Sequence, residues 1–69
     1  MTLRELREAR LMTQSEVARA CNVQVPTVSN WERGEQRPQL PQMRRLADLF
    51  GLNPQEIQAV IEETMSKKR

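Results

Sequence analysis

The chain of 69 residues contains no histidine and no tyrosine, and its one cysteine is Cys21. Histidine is the commonest general base and the commonest metal ligand. Without it, a Cys–His nucleophile pair and a Cys/His zinc site are both excluded. Gly34 and Gly51 are the only glycines, so no glycine-rich phosphate loop exists. A lone cysteine forms no internal disulfide, which suits a reducing, cytoplasmic setting. No apolar run comes near the roughly 20 residues of a membrane span. The N-terminus is charged and amphipathic, unlike a secretory signal. The carboxylates that remain stand where helix caps and ion pairs account for them. These absences point away from an enzyme, a metal site, a cofactor and a membrane partner.

What is present is polar and short. A chain of this length makes one domain at most, and it buries so little core that tight helix packing or oligomerisation must help it. Eleven Lys and Arg against nine Asp and Glu leave a net charge of +2. That excess argues only weakly for a polyanionic partner, so the positions of the arginines matter more than their number.

Residues 14–34, QSEVARACNVQVPTVSNWERG, organise the rest. Two short amphipathic runs flank a turn at Cys21-Asn22-Val23. Val17, Ala18 and Cys21 form the buried side of the first run, and Val25, Val28 and Trp31 that of the second, at helical spacing. Helices below about 12–15 residues are marginal alone in water, so these two must pack on each other and on the remaining chain. Small Ala18 permits a close crossing. The outer face of the second run carries Gln24, Thr27, Asn30 and Arg33. A braced helix showing short polar side chains has the form of a probe for a groove.

Taken in order, Thr2 and Glu5 spell a capping box that opens a first helix. Leu3 and Leu6 face its core, with Ala9 or Arg10 beside them, and the helix ends near Arg10-Leu11. Arg4, Arg7 and Arg10 drift around its surface, where Glu5 and Glu8 are available partners. Thr13 and Glu16 form a second capping box, starting a helix at Gln14. Its unpaired N–H groups and partial positive charge offer a seat for an anion. Asn22 suits a positive φ in the turn. The third helix runs from about Val25 to Glu32 or Arg33, with Pro26 in its first turn and Gly34 as a left-handed cap. After the polar loop 35–38, a fourth helix spans about Leu40 to Phe50 with a Met43, Leu46, Ala47, Phe50 stripe. Asn53-Pro54-Gln55-Glu56 starts a fifth helix carrying Ile57, Val60, Ile61 and Met65. That stripe looks longer than so small a core can cover, which suggests a dimer interface at Ile57, Val60 and Ile61. Residues 67–69 form a basic tail that either frays or complements the preceding helix dipole. The expectation is one all-α domain over residues 1–66, its helix-turn-helix core at 14–33.

In this order, LRELREARLMTQSEVARA, SNWERG, RP and RRLADLFGL resemble the matching segments of the Cro/CI-type (XRE) helix-turn-helix family of phage and bacterial repressors. Single pieces are weak signals, but the string in register covers about residues 3 to 60. The resemblance implies a compact five-helix, lambda-repressor-like bundle that binds double-stranded DNA, with the third helix in the major groove and the N-terminus of the second on the phosphate backbone. Gln24, Val25, Thr27 and Asn30 match the family's base-facing positions. Thr13, Gln14, Ser29, Arg33 and Arg37 match its phosphate-contacting positions. Arg7 and Glu32 match a pair that clamps the first helix to the end of the third; the alternative is two separate surface charges. Gln14 also has a plainer reading as an ordinary surface glutamine. Trp31 reads as core, since its spacing from Val28 argues against base stacking, and Cys21 reads as a small core hydrophobe rather than a redox sensor.

Three departures from the family pattern are visible. Leu11 stands where relatives often have glycine. Asn22 replaces the usual turn glycine. Pro26 occupies a position where some relatives place a polar base-reading side chain. The resulting expectation is a homodimeric transcriptional regulator, a repressor at a palindromic operator, without a small-molecule ligand. A controller protein of a restriction–modification operon would share that mechanism. An alternative from another class is a protein-interaction module, such as the antitoxin half of a toxin–antitoxin pair, whose fifth helix and tail grip a protein.

Overall fold

The structure, a computed structural model, describes residues 1–67. Its elements are α1 (Leu3–Ala9), α2 (Gln14–Cys21), α3 (Val25–Glu32), α4 (Leu40–Phe50) and α5 (Pro54–Ser66). Lys68 and Arg69, the last two residues of the basic tail, lie outside the described residues. Among those described, no helix is long and apolar enough to cross a membrane.

Local chemistry sets where each helix begins. Thr2, Thr13 and Asn53 each accept a hydrogen bond from the backbone of the glutamate three residues on, and Glu5, Glu16 and Glu56 accept one in return. Each reciprocal box satisfies two backbone donors that a helix N-terminus otherwise leaves unpaired. α3 and α4 lack a side-chain cap and instead carry Pro26 and Pro41 in their first turns, where proline removes no intrahelical donor. Left-handed residues follow the first four helices. Asn22 has φ 59°, Gly34 φ 73° and Gly51 φ 69°, and Leu11, just beyond α1, has φ 56°.

The core collects Leu3 and Leu6 from α1, Val17, Ala18 and Cys21 from α2, and Val28 and Trp31 from α3. From α4 it takes Met43, Leu46, Ala47 and Phe50, and from α5 Ile57, Val60 and Ile61. Two expectations about the apolar positions are corrected. Val25 is 39% exposed; it occupies the first turn of α3, ahead of the turns that pack on α1, α2 and α5. Ile57, Val60 and Ile61 are 2%, 9% and 0% exposed within the subunit's own core, because α5 packs on α1, α3 and α4 together. They leave little surface for a partner. Ala9 is exposed, whereas Arg10 donates to the Phe50 carbonyl at 2.9 Å, with its guanidinium carbon 5.9 Å from the Phe50 ring centroid.

Thr64 is the buried polar residue that joins the chain's two ends. Its hydroxyl accepts from the Leu3 N–H at 2.8 Å and donates to the Val60 carbonyl at 2.7 Å. The Leu3 N–H opens α1 and has no acceptor within the helix, so α5 supplies one.

Candidate nucleic-acid interface

Val28 and Trp31, at 0% and 1% exposure, fix the inner side of α3. Residues between them in the helical repeat therefore face outward. Gln24 and Val25 are exposed, and Thr27, Ser29 and Asn30 are half-buried at the surface. Gln24 is the N-cap of α3, Val25 and exposed Pro26 form the apolar start of the helix, and Thr27 and Asn30 follow at its surface. α3 has eight residues; at about 1.5 Å rise per residue it is roughly 12 Å long, comparable to the width of a DNA major groove.

A cleft lies on each flank of α3. One, of about 320 Å³, is lined by Arg4, Arg7, Gln14, Ser29, Glu32 and Arg33. The other, of about 220 Å³, is lined by Val23, Thr27, Trp31, Gln36, Arg37, Gln39 and Gln42. Hydrogen-bond donors dominate both. The second cleft brings in residues that reading the sequence passed over. Gln36, Gln39 and Gln42 recur at three-residue spacing across the loop and the start of α4. Only their position beside Trp-Glu-Arg-Gly hinted that they would stand next to Thr27. Arg4 was likewise read as one member of a solvated face. It pairs with Glu8 at 3.1 Å and also reaches the first cleft.

Beneath the first cleft sits an inter-helix junction. Arg7 of α1 donates to Glu32 of α3 through Nε at 2.6 Å and through Nη2 at 3.2 Å. Its Nη1 donates to the Met12 carbonyl at 2.8 Å. Gln14 of α2 adds a third bond to Glu32, from Nε2 to Oε1 at 3.0 Å. One carboxylate thereby ties together the end of α1, the start of α2 and the end of α3. The paired carboxylate holds the Arg7 guanidinium pKa above its usual value, and partial burial opposes this less strongly. The Gln14 amide, nominated for phosphate, is thus turned toward Glu32 in the free domain.

The other nominated donors are also engaged. Arg33 donates through Nη1 to Ser29 Oγ at 2.6 Å and through Nη2 to Asn30 Oδ1 at 2.5 Å. Its Nε lies 3.3 Å from Glu35 Oε2. Asn30 therefore keeps its amide donor free while its oxygen is taken. Arg37 is ion-paired with Glu62 of α5. That hydrogen bond raises the guanidinium pKa and lowers that of the Glu62 carboxyl, each side acting first through the bond and then through charge. Thr13 Oγ1 accepts from the Glu16 N–H at 3.1 Å, which leaves its hydroxyl proton available at the exposed start of α2. Among the described residues, no three His, Cys, Asp or Glu side chains gather where they could hold a metal ion.

Comparison with known proteins bears on the family of the chain. A family model described as "Helix-turn-helix" matches residues 3–57. A curated relative, the "HTH-type transcriptional regulator DdrOP3" of Deinococcus deserti, is 33% identical over 60 residues, which is 87% of this chain and 46% of the relative. The chain therefore spans less than half of that relative's length. No solved structure gives a significant match. The matched span runs from the buried Leu3 of α1 to the buried Ile57 of α5 and takes in the braced α2–turn–α3 unit entire, so this chain belongs to the XRE-type helix-turn-helix family.

Proposed function

We propose that this domain, residues 1–66 with the helix-turn-helix at 14–33, is a sequence-specific double-stranded DNA-binding regulator of transcription. It acts in the cytoplasm as a repressor, without a cofactor or a small-molecule ligand. The observation that carries the reading is the braced α3, with Gln24, Val25, Thr27 and Asn30 at its surface and polar clefts on both flanks. α3 lies in the major groove, where the side chains of Gln24 and Asn30 meet adenine N6 and N7 and Val25 meets a thymine methyl. Thr13, Gln14, Ser29, Arg33 and Arg37 meet the phosphates, Gln14 and Arg37 after leaving Glu32 and Glu62, and Arg33 after releasing Ser29 Oγ and Asn30 Oδ1. With so few base-reading side chains per subunit, discrimination against a genome of competing sites requires two half-sites. Homodimers on a palindrome meet that need, with half-site centres about 34–36 Å apart, one helical turn. The apolar stripe of α5 plays no part in this pairing, since the subunit core takes it up. The alternative, an antitoxin or other protein-interaction module gripping its partner through α5 and the tail, draws less support from a stripe so largely buried.

In vitro selection from a random duplex library is the direct test. A recovered palindrome supports both the DNA reading and the dimer, whereas no enrichment at physiological salt overturns it. On the recovered site, Asn30→Ala should lower affinity and relax one base position. Arg37→Ala should weaken all sequences alike and flatten the salt dependence. Identical effects of both changes on cognate and random DNA would refute the assigned roles.

A further inference from the structure

We propose that Glu62 is a positioning residue of the DNA interface: it holds Arg37 away from the phosphate backbone and so restrains binding to duplex DNA of every sequence. This deepens the DNA-binding reading and rests on it. Arg37 lies in the loop after α3 and Glu62 on α5, 25 residues apart in sequence. Their side chains are 48% and 64% exposed. A phosphate approaching α3 can thus reach the guanidinium, but it meets a carboxylate already seated there. The pair shifts the pKa of both partners in the direction that favours charge. Arg33 repeats the arrangement across α3, with Glu35 at 3.3 Å. Each backbone-facing arginine of the site therefore carries its own anion.

The balance of forces sets the sign. An exposed ion pair is weak and yields to a competing anion. Arg–phosphate contacts are charge-assisted and often bidentate, and so stronger. Exchange is therefore favourable, but it starts from a satisfied arginine rather than a free one. If Arg37 instead keeps Glu62 while touching DNA, that carboxylate stands within a few ångströms of the phosphate and repels it. Both routes make Glu62 a brake. Because phosphates carry no sequence information, the brake acts on cognate and random duplex alike.

The experiment is a double-mutant cycle read by fluorescence anisotropy over a salt series. It uses the duplex recovered by selection and a random-sequence duplex of the same length. Glu62→Gln should bind both about two- to fivefold more tightly, the range open to an exposed ion pair. Its salt slope should stay near the wild-type value, because Arg37 makes the same phosphate contact in both proteins. In an Arg37→Gln background the same change should do nothing. Asp48→Asn, an equal charge change on exposed α4, controls for net charge and should leave affinity within experimental error. An unchanged or weaker Glu62→Gln protein overturns the proposal. So does a gain that survives in the Arg37→Gln background or is reproduced by Asp48→Asn. If the wild-type domain binds neither duplex, the DNA reading falls and takes this proposal with it; normal binding with no effect of Glu62→Gln sinks this proposal alone.

Discussion

Replacing Arg7 with methionine separates a stabilising junction from a decorative one. In the native domain Glu32 is 4% exposed and Arg7 13% exposed. Glu32 accepts two bonds from Arg7 and one from Gln14. Arg7→Met keeps the aliphatic stem and strands the carboxylate with the Gln14 amide alone. Breaking one side of a buried pair costs about 3–5 kcal/mol. The partial exposure of Arg7 argues for the lower end, ~3 kcal/mol. A domain of this size holds roughly 3–10 kcal/mol in all, so this single change consumes a large share of the margin. A loss of ~3 kcal/mol should move the thermal midpoint by about 12–24 °C. Glu32→Leu should be milder, ~1.5 kcal/mol, because Arg7 retains the Met12 carbonyl at 2.8 Å and some access to water.

The double substitution decides the matter. Arg7→Met with Glu32→Leu replaces a desolvated ion pair by apolar groups of similar volume, an exchange that is often neutral or stabilising. It should sit well above the Arg7→Met single mutant, with a coupling energy above about 2 kcal/mol. Urea denaturation with a common slope measures each corner of the cycle. If Arg7→Met costs under about 1 kcal/mol, or if the two losses add, then the junction is a surface pair in effect and the reasoning from burial fails. Should Arg7→Met not fold at all, the double mutant still carries the test, because recovery of a cooperative transition is the predicted outcome.

Three further predictions follow from single residues. Thr64→Val keeps the shape but leaves the Leu3 N–H without its acceptor in a position only 2% exposed; it should cost about 1–3 kcal/mol, and a neutral result in urea would show that the bond contributes nothing net. Leu11 is 93% exposed at φ 56°, and the left-handed region costs an L-residue about 1–2 kcal/mol, against about 0.5–1 kcal/mol for the extra chain freedom of glycine. Leu11→Gly should therefore stabilise modestly, and a lowered thermal midpoint would contradict it. Burial raises the Cys21 thiol pKa, opposed only weakly by the charge of Arg45, so this single thiol should resist alkylation in the native domain at neutral pH and react on unfolding. Rapid native labelling would place it elsewhere than the core.

How much of this was legible beforehand follows the range of the interactions. Caps are local, so Thr2, Thr13 and Asn53 with their glutamates marked three helix starts, and Asn22, Gly34 and Gly51 marked ends. The α4 stripe was legible for the same reason, since one period points one way. The errors lie where several elements meet. Periodicity assigned Ile57, Val60 and Ile61 an apolar face but could not tell that α1, α3 and α4 together would cover it. Spacing linked Val25 to Val28, yet the first turn of α3 lies outside the packed layer. Thr64 carries no local signal, because the group it serves is the N–H of Leu3, 61 residues away.

The site itself shows the deeper reason for partial legibility. Sequence position can nominate a donor; it does not say whether that donor is free. In this domain Gln14 is held by Glu32, Arg33 by Ser29, Asn30 and Glu35, and Arg37 by Glu62. A small surface with nearly balanced charge brings acids and bases close enough to satisfy one another before any ligand arrives. Substituting any of these donors therefore changes two equilibria, the contact with DNA and the internal bond it replaces. An alanine scan of this interface will understate a direct contact wherever the internal partner is exposed and easily hydrated, as at Arg37. It will understate one further where the partner is left buried, as at Gln14, and there the substitution also costs stability. The size of that discrepancy follows the exposure of the partner, Glu62 at 64% and Glu32 at 4%, so measuring both variants against random duplex and against urea separates contact from scaffold at each position.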